Sequence, residues 1–225
     1  LSHARIESEI ELLLGGRVRA ALVNLPQAGS DAVLHPQERA AIATASPKRV
    51  REFSAGRACA RRLLESYGVE EFALLSDADR VPRWPRGLLG SISHKAELCA
   101  VVVGSRDSLA AVGIDVERDG AVQSRVWPRI LRPAEAAWLE QRPAAERARL
   151  ATLVFSAKEA TYKCLFPESR VRLAFADVQI ELDATAERFR ATLYRDCAPL
   201  QRGEVLEGFC VVRGDYALTG VMRVG

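Results

Sequence analysis

An α+β chain is what this sequence predicts, on three observations. Helix-patterned and strand-patterned stretches are interspersed along its 225 residues. A long basic helical stretch dominates the first half, and a run of short strands closes the second. Between them, from Arg118 to Arg132, the hydrophobic pattern loosens and marks a junction. The length permits one large domain or two compact halves.

The elements follow in order. Ile6, Ile10, Leu13 and Leu14 fall at helical spacing among Glu7, Glu9 and Glu11, so residues 4–14 are helical and Gly15-Gly16 ends them. VRAALVNL (18–25) reads as a buried strand and QAGSDAVLHP (27–36) as a loop, with Pro36 suited to a helix start. A second helix runs from Pro47 through Tyr67 to Gly68, with Val50, Phe53, Ala60, Leu63, Leu64 and Tyr67 covering one face. On it Arg49, Arg57 and Arg61 share a side, because separations of eight and four are close to whole turns. FALLS (72–76) is a short strand, DADRVPRWPRGLLG a loop, and SISH opens a further short segment. LCAVVVG (98–104) and LAAVGIDVE (109–117) read as a hairpin through SRDS. PAEAAWLEQ (133–141) and the polar RPAAERARL are helical, and LVFSAKEATYKCLF is a helix that stops before Pro167. VQIEL (178–182), FRATLY (189–194), EGFCVV (207–212) and YALTGVM (216–222) are strands. No repeat shows at the level of residues.

Composition excludes several classes. Hydrophobic content of 48% with 27% charged residues is ordinary for a globular chain, and a net charge of +3 gives no case for nucleic acid. The charge is unevenly placed, however. Lys48, Arg49, Arg51, Arg57, Arg61 and Arg62 face a single acid, Glu52, within one stretch, a field suited to phosphates. Five widely spaced cysteines without a CxxC pair read as buried thiols in a reducing compartment. No segment has the apolar run of a signal peptide or a membrane span, so a cytoplasmic protein is expected.

Three stretches carry chemistry. In GIDVE (113–117), residues two apart on a strand share a face, so Asp115 and Glu117 project together. Two carboxylates so placed repel unless a cation or base separates them, and Mg²⁺ is bound by one or two carboxylates plus water and phosphate. The plainer reading is an exposed strand end paired with Arg118 or Arg106. In FSAKEATYK (155–163), Ser156 and Glu159 have capping-box spacing, and Glu159 and Lys163 are an i,i+4 pair worth about 0.2–0.5 kcal/mol. The sharper reading places Glu159 beside a metal, with lysines to neutralise phosphate oxygens. In GSISH (90–94), His94 precedes a strand; a lone histidine is usually a structural hydrogen bonder.

Taken together, GSISH, GIDVE and FSAKEATYK, preceded by REFSAGRACAR and WPRGLLG, resemble the 4′-phosphopantetheinyl transferase superfamily, in the branch typified by the transferase of enterobactin synthesis. The resemblance runs from about Lys48 to Pro167, roughly half of the chain. It implies a pseudo-twofold pair of similar subdomains, each a helix packed on an antiparallel sheet, with the active site in the cleft between residues 1–117 and 118–225. It implies transfer of the phosphopantetheine arm of coenzyme A to a serine of an acidic peptidyl or acyl carrier domain, releasing 3′,5′-ADP. It also implies Mg²⁺, with Mn²⁺ as the other candidate, held by Asp115, Glu117 and Glu159. Glu159 is then the base for the attacking serine, and Lys163 lies near the pyrophosphate. Lys158 holds phosphate or the glutamate, and His94 with Ser93 sits at the coenzyme A phosphates. Arg49 and Arg57 hold the nucleotide end. The sequence departs from some relatives in its loop SDADRVPRWP, which lacks a lysine and leaves Arg80 or Arg83 as substitutes, and in Lys95 after the motif histidine. A pseudo-dimer needs no partner subunit, so a monomer is expected, as are no nucleic-acid and no membrane partners. The rival readings are an inactive coenzyme A-binding scaffold and a carrier presenting Ser108 of RDSLA.

Overall fold

The computed structural model describes residues 2–25, 34–183 and 185–225. Residues 27–33 of the loop read at 27–36 lie outside them. The chain divides into two compact units, residues 1–110 with Gly225, and residues 111–224.

The N-terminal unit contains α1 (His3–Leu13), β1 (Val18–Asn24), α2 (Pro36–Ala41), α3 (Pro47–Glu65), β2 (Leu88–Lys95) and β3 (Leu98–Ser105). Its strands form an antiparallel sheet in the order β1-β3-β2. Ser46 starts α3, its hydroxyl accepting the Arg49 N–H, and Pro47 follows at the first helical position. The helix buries Ala55, Cys59, Ala60, Leu63 and Leu64 in one core with Cys99, Val101 and Val103 of β3. The glutamates of α1 cover the open edge of β1. Glu7 and Glu11, one turn apart, accept the Leu22 and Ala20 N–H groups at 2.6 and 2.9 Å, which satisfies donors that an edge strand would otherwise expose.

The C-terminal unit contains β4 (Ala111–Arg118), α4 (Trp127–Ile130), α5 (Pro133–Glu140), α6 (Ala144–Ser169), β5 (Val178–Asp183), β6 (Arg188–Leu193), β7 (Val205–Arg213) and β8 (Tyr216–Arg223). Its sheet is antiparallel in the order β4-β8-β7-β6-β5. Both units therefore share one plan: a first strand, a short helix, a long helix and a closing hairpin whose last strand pairs with the first. The C-terminal unit extends that sheet by the β5–β6 pair.

A repeat is present after all, at one point. HPQERA (35–40) and RPAEAA (132–137) each start a short helix with proline at its first position and glutamate at its third. Each glutamate is buried and accepts three hydrogen bonds: its own helix-start N–H, a distant backbone N–H, and a basic side chain 23 residues on along the long helix. For Glu38 these are His35 N–H, Leu74 N–H and Arg61. For Glu135 they are Arg132 N–H, Ile180 N–H and Lys158. The Pro-x-Glu triplets and the shared spacing were visible in the sequence, but only the hydrogen bonds give them a common meaning.

Several expectations are corrected. LCAVVVG and LAAVGIDVE do not pair, because β3 is already flanked on both sides by β1 and β2. The hairpin is β2–β3, turning at Ala96-Glu97 with Ala96 at φ +53°. The division between units accordingly falls before Ala111 rather than after Glu117. FALLS contributes only an isolated bridge, Ser76 to Pro82, since its Leu74 N–H is taken by Glu38 and the next turn closes on the Asp77 side chain. The helix meant to begin near FSAKE and the polar one before it are a single helix, α6, whose buried residues lie nearly all round it. It packs against both the sheet and α5, so it shows no polar stripe where a break would be read. Pro167 lies in its last turn, where one lost hydrogen bond is tolerated, and the helix ends at Ser169.

Gly113 is where α6 comes closest to β4. A β-carbon at Gly113 would overlap the Ala160 carbonyl oxygen and press on the Cys164 N–H and Cβ. Backbone cannot move aside cheaply, so Gly113→Ala is expected to lower stability by about 1–3 kcal/mol or more, read from the urea unfolding midpoint.

Candidate active site

Asp115 lies at the centre of a buried polar group in the C-terminal unit. It follows Gly113 on the face of β4 turned to α6 and is 4% exposed; Glu117, next on that face, is also buried. This burial removes the reading of an exposed strand end. One Asp115 oxygen, Oδ1, accepts from Lys163 Nζ at 2.6 Å, and the other, Oδ2, accepts from Ser156 Oγ at 2.9 Å. Ser156, Glu159 and Lys163 are spaced i, i+3 and i+7, one line along the helix. Because Asp115 touches the two ends of that line, Glu159, half-buried, projects on the same side between them. Ser156 and Glu159 are therefore mid-helix, and the capping box they suggested does not form. Ser156 Oγ is also 2.9 Å from Thr219 Oγ1 on β8, the strand partner of Asp115.

The donor set fits a hard divalent cation: carboxylate oxygens from two acids of one strand and a third on the adjoining helix. Among the described residues no three His, Cys, Asp or Glu side chains are drawn together as a metal cage. The Lys163 ammonium engages Asp115 and relieves the repulsion that two neighbouring carboxylates would otherwise create.

Lys158 is corrected. It is 2% exposed, and its ammonium donates to Glu135 at 2.7 Å, the Ile130 carbonyl at 2.8 Å and the Phe175 carbonyl at 2.9 Å. An ammonium has three hydrogens, and all three are spent inside the unit, so none remains for phosphate. Burial pushes its pKa down and the Glu135 carboxylate holds it up. Adjacent in sequence, Lys158 and Glu159 point to different sides of α6.

In the N-terminal unit, Arg49 and Arg57 both lie over the Phe53 ring, at 5.8 and 4.0 Å from its centre. Arg57 is buried, donates to Ser76 Oγ at 3.2 Å, and keeps a buried Nε with no hydrogen-bond partner among the described residues. Burial brings its pKa down to about 10, against the raising effect of Glu38. Arg61, read on the same side, is held by Glu38 at 2.8 Å instead. His94 Nδ1 is 3.7 Å from Glu52 Oε1 of α3. Ser93, its neighbour on β2, is buried on the opposite face of the strand, so the two do not act side by side. Arg80, Arg83 and Lys95 are exposed. All five cysteines are buried and unbridged, as read, and no described helix is long and apolar enough to cross a membrane.

The sequence compares closely with proteins of known class. A model of the 4′-phosphopantetheinyl transferase N-terminal domain matches residues 37–104, and a model of the 4′-phosphopantetheinyl transferase superfamily matches residues 111–219. The two matches fall on either side of the division between the units. The 4′-phosphopantetheinyl transferase Svp of Streptomyces mobaraensis is 34% identical over 181 residues, covering 79% of this chain and 72% of its own. The 4′-phosphopantetheinyl transferase PptT of Mycobacterium tuberculosis is 39% identical over 153 residues, 67% of this chain and 66% of its own. Enterobactin synthase component D of Escherichia coli is 36% identical over 138 residues, 60% and 63%. The chain belongs to the 4′-phosphopantetheinyl transferase superfamily and is an enzyme that transfers the 4′-phosphopantetheinyl group to carrier proteins.

Proposed function

We propose that this transferase takes its group from coenzyme A and works through Asp115, Glu117, Glu159 and Lys163, with Asp115 carrying the argument because it is shared between Lys163 and Ser156 on either side of Glu159. Asp115, Glu117 and Glu159 would hold Mg²⁺, or Mn²⁺, which when bound neutralises charge on the transferring phosphoryl group. Glu159 accepts the proton of the carrier serine, whose hydroxyl is a weak nucleophile until a base removes it. The serine oxygen bonds to the phosphorus bearing the pantetheine arm, and the bridging oxygen leaves with 3′,5′-ADP. Lys163 supplies positive charge to the pyrophosphate oxygens.

For the nucleotide end, the support is Arg57. A guanidinium fixed over an aromatic ring with one nitrogen unsatisfied suits a phosphate, and exposed Arg49 shares that ring. His94 serves the coenzyme A phosphates from β2. For the carrier, the exposed residues Arg125 and Arg129 are basic groups that suit an acidic recognition helix. Trp127 and Arg132 of the same region are engaged within their own unit. Trp127 donates to the Val122 carbonyl, and Arg132 stacks 3.5 Å over Tyr194 and donates to the Ala176 carbonyl. The likeness to enterobactin synthase component D supports carriers of siderophore and other nonribosomal peptide assembly.

The test is intact-mass spectrometry of an apo carrier domain incubated with the protein, coenzyme A and Mg²⁺. The expected result is a gain of one phosphopantetheine that disappears when the metal is chelated. Gain that persists without metal would remove the metal reading. No gain across several carrier types, with coenzyme A still bound, would favour the scaffold.

A further inference from the structure

We propose that Thr219 and Ser156 form a one-way hydroxyl chain that fixes the Asp115 carboxylate, making both positioning residues for the metal step. The proposal rests on Asp115 being a metal ligand. Three hydroxyl residues of α6 are buried. Thr152 and Thr161 turn back on their own helix, donating to the carbonyls of Ala148 and Ala157 at 2.8 and 2.7 Å, the usual resort of a hydroxyl inside a helix. Ser156, wholly buried, reaches outward to the sheet instead.

The direction of the chain follows from proton counting. A serine hydroxyl has one hydrogen, and Asp115 as a carboxylate only accepts, so that hydrogen lies on the Ser156–Asp115 bond. The 2.9 Å contact between Ser156 and Thr219 must then have Thr219 as donor. The chain runs Thr219 to Ser156 to Asp115 Oδ2, and each bond polarises the next. Its consequence is orientational. With Oδ2 tied to the core, Oδ1 is turned to the side where Lys163 lies, the oxygen left to answer a cation. Without the chain, Asp115 keeps the Lys163 contact but loses the hold on Oδ2, so its orientation is less sharply set before the metal arrives.

The test uses Ser156→Ala, Thr219→Val and the double variant, each removing a hydroxyl at nearly constant shape. Two readouts apply: Mn²⁺ affinity of the full-length protein, measured by electron paramagnetic resonance without substrate, and the Mg²⁺ dependence of carrier modification. Ser156→Ala is expected to weaken Mn²⁺ binding about tenfold and to raise the Mg²⁺ concentration for half-maximal rate equally, with KM for coenzyme A unchanged. Thr219→Val should have a smaller effect in the same direction and add nothing in the Ser156→Ala background, because it acts only through Ser156. Thr219→Ser, which keeps the hydroxyl, should behave as wild type. Unchanged Mn²⁺ affinity in folded Ser156→Ala, or additive effects of the two variants, would overturn the chain. Asp115→Asn separates the two ideas. If it leaves Mn²⁺ binding intact, the metal assignment falls and the chain with it. If it abolishes binding while Ser156→Ala does not weaken it, only the chain falls.

Discussion

Lys158→Met is expected to lower stability by about 3–5 kcal/mol while leaving KM for coenzyme A unchanged in the fraction that folds. Methionine fills the same volume but donates nothing. The Glu135 carboxylate stays buried with its charge uncompensated, and the Ile130 and Phe175 carbonyls lose their donor. The loss should appear as a lower urea midpoint at unchanged slope. Adding Glu135→Gln should recover part of it, because the amide oxygen can still accept from a backbone N–H while the buried charge is gone. The matching Arg61→Met in the N-terminal unit should cost less, since the Arg61 side chain is 24% exposed and water shares the work. A raised KM for coenzyme A with normal stability in Lys158→Met would return this lysine to the phosphate-binding role its place in the motif suggested.

Glu159→Gln is expected to slow carrier modification by about 10²–10⁴-fold with coenzyme A binding retained. The amide matches the carboxylate in shape, and Glu159 is half-buried on the side of α6 where the neighbouring Ser156 and Lys163 meet Asp115, so the fold has little reason to change. What is lost is a proton acceptor and one metal oxygen. Single-turnover mass spectrometry at saturating coenzyme A and two Mg²⁺ concentrations, one that just saturates the wild type and one far above it, separates the two. A rate restored by higher metal assigns Glu159 to the metal alone. A rate that stays low assigns it to the serine proton as well. A fall smaller than tenfold under both conditions would mean that another group is the base.

Periodicity located most of the elements, because alternation in strands and the helical repeat follow from local geometry. The C-terminal strands fell within two residues of their observed bounds at either end. Gly113-x-Asp115-x-Glu117 also stated its own geometry, since a two-residue step on a strand places all three on one face. The Lys158 error had a physical cause: two lysines in one motif look alike until the helix turns them to different sides. One met Glu135 in the core and the other met Asp115. Ser156 misled in the same way, because capping-box spacing is a sequence pattern, whereas a cap needs a helix end.

By itself, then, the sequence determined the α+β class, the position of the long helix of the first unit, and the acids and lysine proposed to carry the transfer, all matters of local pattern and residue chemistry. Only the tertiary structure decided which strand pairs with which, that β4 opens the second unit, and which oxygen of Asp115 is tied and which is turned to Lys163. Those depend on free strand edges and on burial, and the two Asp115 contacts join residues 41 and 48 positions apart, which leaves no periodic trace along the chain.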